Sequence, residues 1–450
     1  MSKPLTYLLA SCLGLTACSA DYGGEENISE PLTATTTPDA PTLEVNPLVL
    51  KANDIKHFKK EFSTTFKVKP GGSDIFTVTR YVEQQQKTLS LSSRAVKKLY
   101  LSLAFQFLCD PVPRPDPVTG WGAGDQAGNT NTQDKGTVCR AGILQSYMNH
   151  GELYKLDHVM RNDSPMSAFA EGLKEGDEGY DDACPKQGPF ILSRRHTFCL
   201  PFTRFCGHSE YISGETGGQG TQIDFFGHAG LRPSPNSDPS ETMFYNGFTA
   251  EEVYHGALSA DAVKPIKGLA IILDAKTLLG NGNPLPPDRV ITKEEVEQMI
   301  VAEDLDWLGL QPGMSVFIYT GKGEGWTSDP YYYYAGPGIR VEVVTDLYVP
   351  NGIVYHGLDN PFSDQAILFP DQSYIANSGD DPEIAFPIHA NSLMNGVLQS
   401  QNLNLKKPAE KRAYLGTIDV SAPQVAYAKG FMVSPVFYGE RWLNYTPTMQ

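Results

Sequence analysis

After its first residues the sequence has no apolar run long enough to cross a bilayer, no internal repeat and no CxxC pair. The first absence excludes a bundle of membrane-spanning helices, each of which needs about 20 apolar residues. The second excludes solenoids and propellers, and the third removes the ligand spacing of a structural zinc ribbon. Basic residues are also in deficit, 36 Lys and Arg against 52 Asp and Glu, for a formal charge of -16. Such a surface repels phosphate backbones and anionic lipid, so nucleic acid is not an expected partner.

The N-terminus carries an export pattern. Lys3 gives a short positive region, and residues 5–15 form an apolar core too short to span a membrane. Leu15-Thr16-Ala17-Cys18 follows, with small residues just before a cysteine. It resembles a lipobox, in which Cys18 becomes the first mature residue and is acylated. Each buried CH₂ contributes about 0.8 kcal/mol, so several chains hold firmly. The expectation is a signal peptide over residues 1–17, membrane anchoring through Cys18 and an exported lipoprotein. Ser19, with no Asp beside the cysteine, favours the outer membrane by resemblance to other lipoproteins. Residues 18–46, rich in Glu, Thr, Pro and Ala, bury too little surface to offset ordering entropy and read as a flexible tether.

Seven cysteines stand in the chain; Cys12 leaves with the signal and Cys18 is lipidated. Cys109, Cys139, Cys184, Cys199 and Cys206 remain, an odd set that favours disulfides in an exported protein. Cys109 with Cys139 would close the loop between them, and Cys184 with Cys199 or Cys206 would staple the segment ahead of residue 217. Residues 47–185 read as an N-terminal extension. Phe76-Thr77-Val78-Thr79 suggests a short strand, residues 93–108 a helix by apolar spacing, and residues 111–135 a loop rich in Pro, Gly, Asn and Asp. From residue 186 onward short β-like runs (residues 191–192, 269–273, 316–319 and 353–355) alternate with helix-like ones. Thr292 and Glu295 give a capping-box spacing for a helix over residues 292–302, while residues 341–348 fit either element. The fold class is therefore mixed α/β.

Chemistry concentrates in residues 217–228, Gly-Gly-Gln-Gly-Thr-Gln-Ile-Asp-Phe-Phe-Gly-His. Read as a strand, it puts Gly218, Gly220, Gln222 and Asp224 on one face and Ile223 in the core. Asp224 and His228 then flank a turn, with carboxylate and imidazole near one pocket. On spacing alone a glycine-rich loop with an Asp turn and a surface His is the more economical reading.

The stretch resembles the signature of the cyclase family of metal-dependent hydrolases, which includes bacterial kynurenine formamidases, written H-x-G-T-H-x-D-x-x-x-H. Gly220, Thr221, Asp224 and His228 match it in register. Phe244-Tyr245-Asn246-Gly247, residues 267–274, Gln311-Pro312-Gly313, Gly336-Pro337-Gly338, Ala385-Phe386-Pro387-Ile388-His389 and Gln401-Asn402-Leu403 resemble further family stretches in the same order. The resemblance spans residues 187–440 and implies a mixed-sheet, β-barrel-like domain of swivelling β/β/α type over residues 186–450. It also implies association as dimers or tetramers. The activity it implies is hydrolysis of a small amide, lactone or ester by metal-activated water. Carried over by position, Asp224 and His389 are metal ligands and His228 the general acid/base, an imidazole having a pKa near neutrality.

Three positions depart from the pattern: Gly218 and Gln222 replace the two signature histidines, and Gln401 replaces a late glutamate. As metal ligands Gln222 and Gln401 are weak, so the implied divalent metal is Mn²⁺ or Mg²⁺ more readily than Zn²⁺. This GTQxD variant reads as a divergent branch. Asp359 matches a recurrent family Asp that would orient His389 or His228, and Gly220 and Thr221 would flank the substrate. His208, Glu210 and His255 are further candidate ligands, and residues 331–334, four tyrosines, either line an entrance or pack in the core. A tethered hydrolase acting on a small-molecule substrate is one outcome; a binding lipoprotein that kept the pocket and lost the metal is the other.

Overall fold

The computed structural model describes residues 49–116, 119–165, 191–214, 216–329, 332–368, 374–444 and 446–449. Cys18, the signal and tether segments, Cys184 and Tyr331 lie outside these residues. Among the described residues no helix is long and apolar enough to cross a membrane.

Four helices open the described chain: α1 (Ala52–Phe66), α2 (Ile75–Leu89), α3 (Ser93–Phe107) and α4 (Lys135–Ser146). The strand expected at Phe76–Thr79 is instead the first turn of α2. Asp74 caps that helix, its carboxylate accepting from the Thr77 amide at 2.9 Å. Val78, Tyr81, Val82 and Gln85 are buried at helical spacing while Phe76 is 80% exposed, so the period is 3.6 and not 2. Tertiary packing overrides the β propensity of Phe, Thr and Val. The expected helix over residues 93–108 forms as α3, with Ser92 as its cap. The Cys109–Cys139 disulfide ties the end of α3 to α4.

The chain then enters its main sheet with β1 (Glu152–Lys155) and leaves it for an exposed hairpin, β2 (Ile191–Cys199) and β3 (Cys206–Ser213). A disulfide closes that hairpin between Cys199 and Cys206, so neither pairs with Cys184 as had been expected. The two cysteines are direct cross-strand partners, which spacing alone did not reveal. Next come β4 (Gln222–Asp224), α5 (Ala250–Tyr254), β5 (Ile266–Leu273), α6 (Ala275–Leu278), β6 (Val290–Ile291) and α7 (Lys293–Ala302). Thr292 and Glu295 form the expected capping box of α7.

The remaining strands are β7 (Ser315–Ile318), β8 (Ala335–Gly336), β9 (Gly338–Ile339), β10 (Tyr355–Leu358), β11 (Ala366–Leu368) and β12 (Tyr374–Ala376). The strand expected at 353–355 starts only at Tyr355, and residues 341–348 resolve as helical, with a π-helical turn over Val343–Tyr348. Helix α8 (Pro387–Met394), β13 (Leu398–Gln401), α9 (Lys406–Glu410), β14 (Leu415–Val420), β15 (Gly430–Met432) and β16 (Val436–Gly439) complete the chain.

Nine strands form one curled sheet in the order β1-β16-β14-β5-β7-β10-β13-β4-β15. Its centre, β5-β7-β10-β13, is parallel, and antiparallel strands flank it on both sides. All of β7 and β10 is buried, as expected where both faces of a parallel sheet are covered. The mixed α/β barrel-like architecture expected from the sequence is the one observed. The boundary expected at residue 186 falls inside a single compact unit, residues 45–450, because β1 pairs with β16 and α4 packs on β5.

A fully buried histidine, His356, and a half-buried one, His158, give the fold an acid-sensitive edge. Burial holds the His356 imidazole down at about 3, with the His389 charge adding to it. Burial likewise holds His158 at about 4, against the opposing pull of Asp157. An unfolded histidine titrates near 6.5, so between pH 6.5 and 4 the unfolded chain binds protons that the folded chain refuses. This contribution to stability is complete above pH 6.5 and is lost on acidification, at about 1.4 kcal/mol per pH unit for each histidine. Urea midpoints followed across that range should fall less steeply for His356→Gln than for the parent chain. An identical slope would show that His356 is already charged in the folded protein.

Candidate functional site

Strand β4 is only three residues long, and its neighbours decide what it presents. In the register with β13, Gln222 lies opposite Gln401 and Asp224 opposite Gln399. Alternation puts all four side chains on one face, and Ile223 turns to the apolar core on the other. Phe225 and Phe226, both fully buried, pin the exit from the strand, and the His228 amide closes a turn on the Phe225 carbonyl at 2.8 Å.

Asp224 is fully buried and accepts three side-chain amide hydrogen bonds. Gln401 Nε2 donates at 2.9 Å, Gln399 Nε2 at 3.0 Å and Gln222 Nε2 at 3.3 Å. Gln222 Nε2 also donates to Gln401 Oε1 at 3.1 Å. Two imidazoles stand just outside hydrogen-bond range: His389 Nε2 is 3.7 Å and His228 Nε2 3.8 Å from the Asp224 carboxylate. His389 is buried and His228 about one-third exposed, and their ring centroids lie 6.1 Å apart.

His389 sits in the first turn of α8, beside Asp364. That fully buried carboxylate accepts from the Ile388 amide at 2.7 Å and meets His389 Nδ1 at 2.5 Å. One residue thus satisfies a helix N-terminus and fixes an imidazole. Nδ1 stays the nitrogen that faces Asp364, and Nε2 is turned to Asp224 and to Gln401 Nε2, 2.6 Å away. Burial opposes charging this ring, but Asp364 and Asp224 together carry its pKa above the ordinary value.

The cluster forms the floor of a cavity of about 810 Å³. Gly217, Gly218, Gln222, His228, His389 and Gln401 contribute the polar floor, and Leu231, Pro233, Phe362, Ile384 and Phe386 the apolar wall. Phe386 stands edge-on to the His389 ring at 5.5 Å. Gly218 presents no side chain to that floor.

Asp224, His228 and His389 offer ligand atoms that all lie within 4.8 Å of one another. The Asp224 carboxylate and the His389 imidazole are donors that divalent ions accept, and His228 stands beside them within the same radius. Gln222 Oε1 is buried without a hydrogen-bond partner, and an acceptor stranded beside that trio is what a cation would engage. The residues present therefore fit a divalent ion, with Gln222 as an oxygen donor.

Other expected positions fall elsewhere. Asp359, expected beside the histidines, instead accepts from the Thr320 and Gly321 amides at 2.7 and 2.9 Å, and from the Thr320 hydroxyl and the Gly323 amide. It organises the loop after β7, and Asp364 does the orienting. Gly220 leaves the extended conformation (φ +64°), so the expected alternation holds only for Gln222 to Asp224. Its amide donates to the Tyr333 hydroxyl at 3.0 Å, and Thr221 donates to the Asn402 carbonyl at 2.5 Å. Neither lines the cavity. His208 and Glu210 lie on the exposed hairpin, and exposed His255 pairs with Glu251 at 2.8 Å. Tyr332 and Tyr333 are buried against Trp326, so core packing accounts for these two, while Tyr334 is half-buried beside Phe362 and Phe386.

The sequence model of a family described as "Putative cyclase" matches residues 154–365, a span that begins before the expected boundary and ends before His389. No curated protein matches the chain. Among solved structures, the fold is similar to one described as a novel cyclase, at 19% identity and TM-score 0.54, covering 70% of this chain and 97% of the other. It is also similar to isatin hydrolase A from Ralstonia solanacearum (14% identity, TM-score 0.43, 67% and 95% covered). A third is a predicted metal-dependent hydrolase from Bacillus stearothermophilus (11% identity, TM-score 0.35, 64% and 98% covered). The first of these establishes the cyclase-family fold.

The amide network makes a direct prediction. Asp224→Ala strips three buried amide donors of their acceptor and should cost about 3 kcal/mol or more in urea unfolding. Asp224→Asn keeps one acceptor oxygen and should cost less. A loss under about 1 kcal/mol for Asp224→Ala would mean that the amides do not depend on that carboxylate.

Proposed function

We propose that this chain is a cyclase-family hydrolase, anchored to a membrane through Cys18, that cleaves a small amide, lactone or ester at a divalent-metal site. The observation that carries the reading is the convergence of Asp224, His228 and His389 within 4.8 Å, with both imidazoles lining a half-apolar cavity. The family match over residues 154–365 supports it.

A divalent ion bound there would lower the pKa of its water and polarise the scissile carbonyl. The chain's own residues account for the rest. Asp224 and His389 would hold the ion, with Gln222 and Gln401 able to turn amide oxygens toward it. Asp364 keeps the His389 ring from rotating by its bond to Nδ1. His228, the most exposed of the trio, is free to accept a proton at Nε2 from the attacking water and return it to the leaving group. Leu231, Phe362 and Phe386 exclude water around an aryl or cyclic substrate.

A second reading has an observation of its own. Gln222, Gln399 and Gln401 already satisfy Asp224 without any cation. A binding protein that holds a ligand in the same cavity, with the amides in place of an ion, is consistent with that network.

Metal analysis of the purified protein separates the two. The hydrolase reading expects about one divalent ion per chain, at least tenfold weaker in Asp224→Ala and His389→Ala. It also expects turnover of an aryl formamide or lactone that falls by about 100-fold or more in His228→Ala with metal retained. A folded chain that takes up no Mn²⁺, Mg²⁺ or Zn²⁺ would sink it and favour the binding reading. Anchoring has a separate test: Cys18→Ser should move the protein from the membrane fraction to the soluble one. Retention in the membrane fraction would overturn the lipoprotein assignment.

A further inference from the structure

A second cavity, of about 350 Å³, lies where α1 and α3 meet α4 and the loop ahead of β7. Its lining includes three cations, Lys59, Arg114 and Arg140, and no carboxylate. In a chain of net charge -16 that grouping runs against the composition. Lys59 and Arg114 form no salt bridge among the described residues. Arg140 is held by neutral oxygens, donating to the Phe105 carbonyl at 3.3 Å and to Gln311 Oε1 at 3.0 Å. Asp134, the opposite charge nearest in influence on Arg140, is engaged in capping α4 through the Gly136 and Thr137 amides.

An independent observation points to a ligand. Ser102 lines the same cavity, is 2% exposed, and its hydroxyl has no hydrogen-bond partner. A buried hydroxyl without a partner costs free energy that an oxyanion acceptor would recover. Burial and the Arg140 charge also push the Lys59 ammonium down to about 8, a penalty that an anion between the two would relieve.

From these residues we infer that the cavity is a binding site for a phosphate-type oxyanion, held by Lys59, Arg114 and Arg140 with Ser102 donating to one oxygen. Three cations and a hydroxyl suit a tetrahedral dianion better than a carboxylate, whose two oxygens would leave donors unused. Phe105, Leu308 and Leu310 also line the cavity and give an organic substituent apolar surface. The site is distant in function from Asp224, and nothing in it depends on the hydrolase reading.

Calorimetric titration of the full chain, in chelator and at constant ionic strength, tests this with inorganic phosphate, phenyl phosphate and benzoate as probes. One saturable phosphate site is expected, with benzoate at least tenfold weaker and Lys59→Met and Arg114→Met each weakening phosphate about tenfold. Both replaced residues lack structural bonds, so their melting temperatures should stay near that of the parent. Tighter binding of phenyl phosphate identifies a phosphomonoester as the ligand class, and equal affinity identifies the free ion; either supports the site. Absence of saturable binding, benzoate binding as well as phosphate, or affinity unchanged in both variants would overturn it.

Discussion

Asp224 is a fully buried carboxylate on a strand paired on both sides, and the site is organised around keeping that charge tolerable. An uncompensated buried anion costs several kcal/mol, more than the net stability margin comfortably absorbs. Compensation comes from the β4–β13 register, which sets Gln399 and Gln401 across from Asp224 and Gln222. A one-residue slip would turn Ile223 into the cavity and Asp224 into the core. Hence the short β4 is gripped on both sides, by β13 and by β15, and its exit is pinned by Phe225 and Phe226.

The same amides connect the two functional readings physically. An amide side chain presents a donor on one atom and an acceptor on the other, and rotation by half a turn exchanges them. With Nε2 toward Asp224, Gln222 and Gln401 compensate its charge in place of an ion. With Oε1 turned inward, they become neutral ligands to one. Gln222 and Gln401 therefore compensate Asp224 as they stand, and the same side chains carry oxygens of the kind that hard cations accept.

What the sequence disclosed follows from where the information is local. Capping residues and apolar spacing announced α3 and α7, and the glycine-rich signature announced the turn that carries Asp224 and His228. The α2 segment misled because Phe76 to Thr79 has β-type composition, whereas the buried set Val78, Tyr81, Val82 and Gln85 extends beyond it. Asp364 was invisible because its role depends on α8 starting 23 residues later, and no motif marks it. Gln399 was within reach: Gln399 and Gln401 repeat at the same period of two as Gln222 and Asp224, the mark of two strands presenting one polar face. The share of the sheet taken by β1 is a non-local fact that composition does not encode, and the Cys199–Cys206 bond, local as it is, depends on the β2–β3 register.

The residues that match the family signature divide by what they touch. Gly220 and Thr221 belong to a clamp and not to the cavity. The Gly220 amide and Asn402 Nδ2 both donate to the Tyr333 hydroxyl, while Asn402 Nδ2 also donates to the Gly220 carbonyl at 2.7 Å. Thr221 bonds the Asn402 carbonyl and accepts from the His158 amide at 3.0 Å. The left-handed φ of Gly220 (+64°) disfavours any side chain there, and a Cβ would stand 2.5 Å from Met160 Sδ, so that methionine would have to shift. This clamp joins the segment before residue 186 to β4, to the loop after β13 and to the tyrosine cluster. It holds Asp224 in place without chemistry of its own. The clamp and the lining of the cavity are thus made by different residues of one short stretch. None of Gly218, Gln222 and Gln401 takes part in the clamp, so the seating of β4 does not depend on what stands at those three positions.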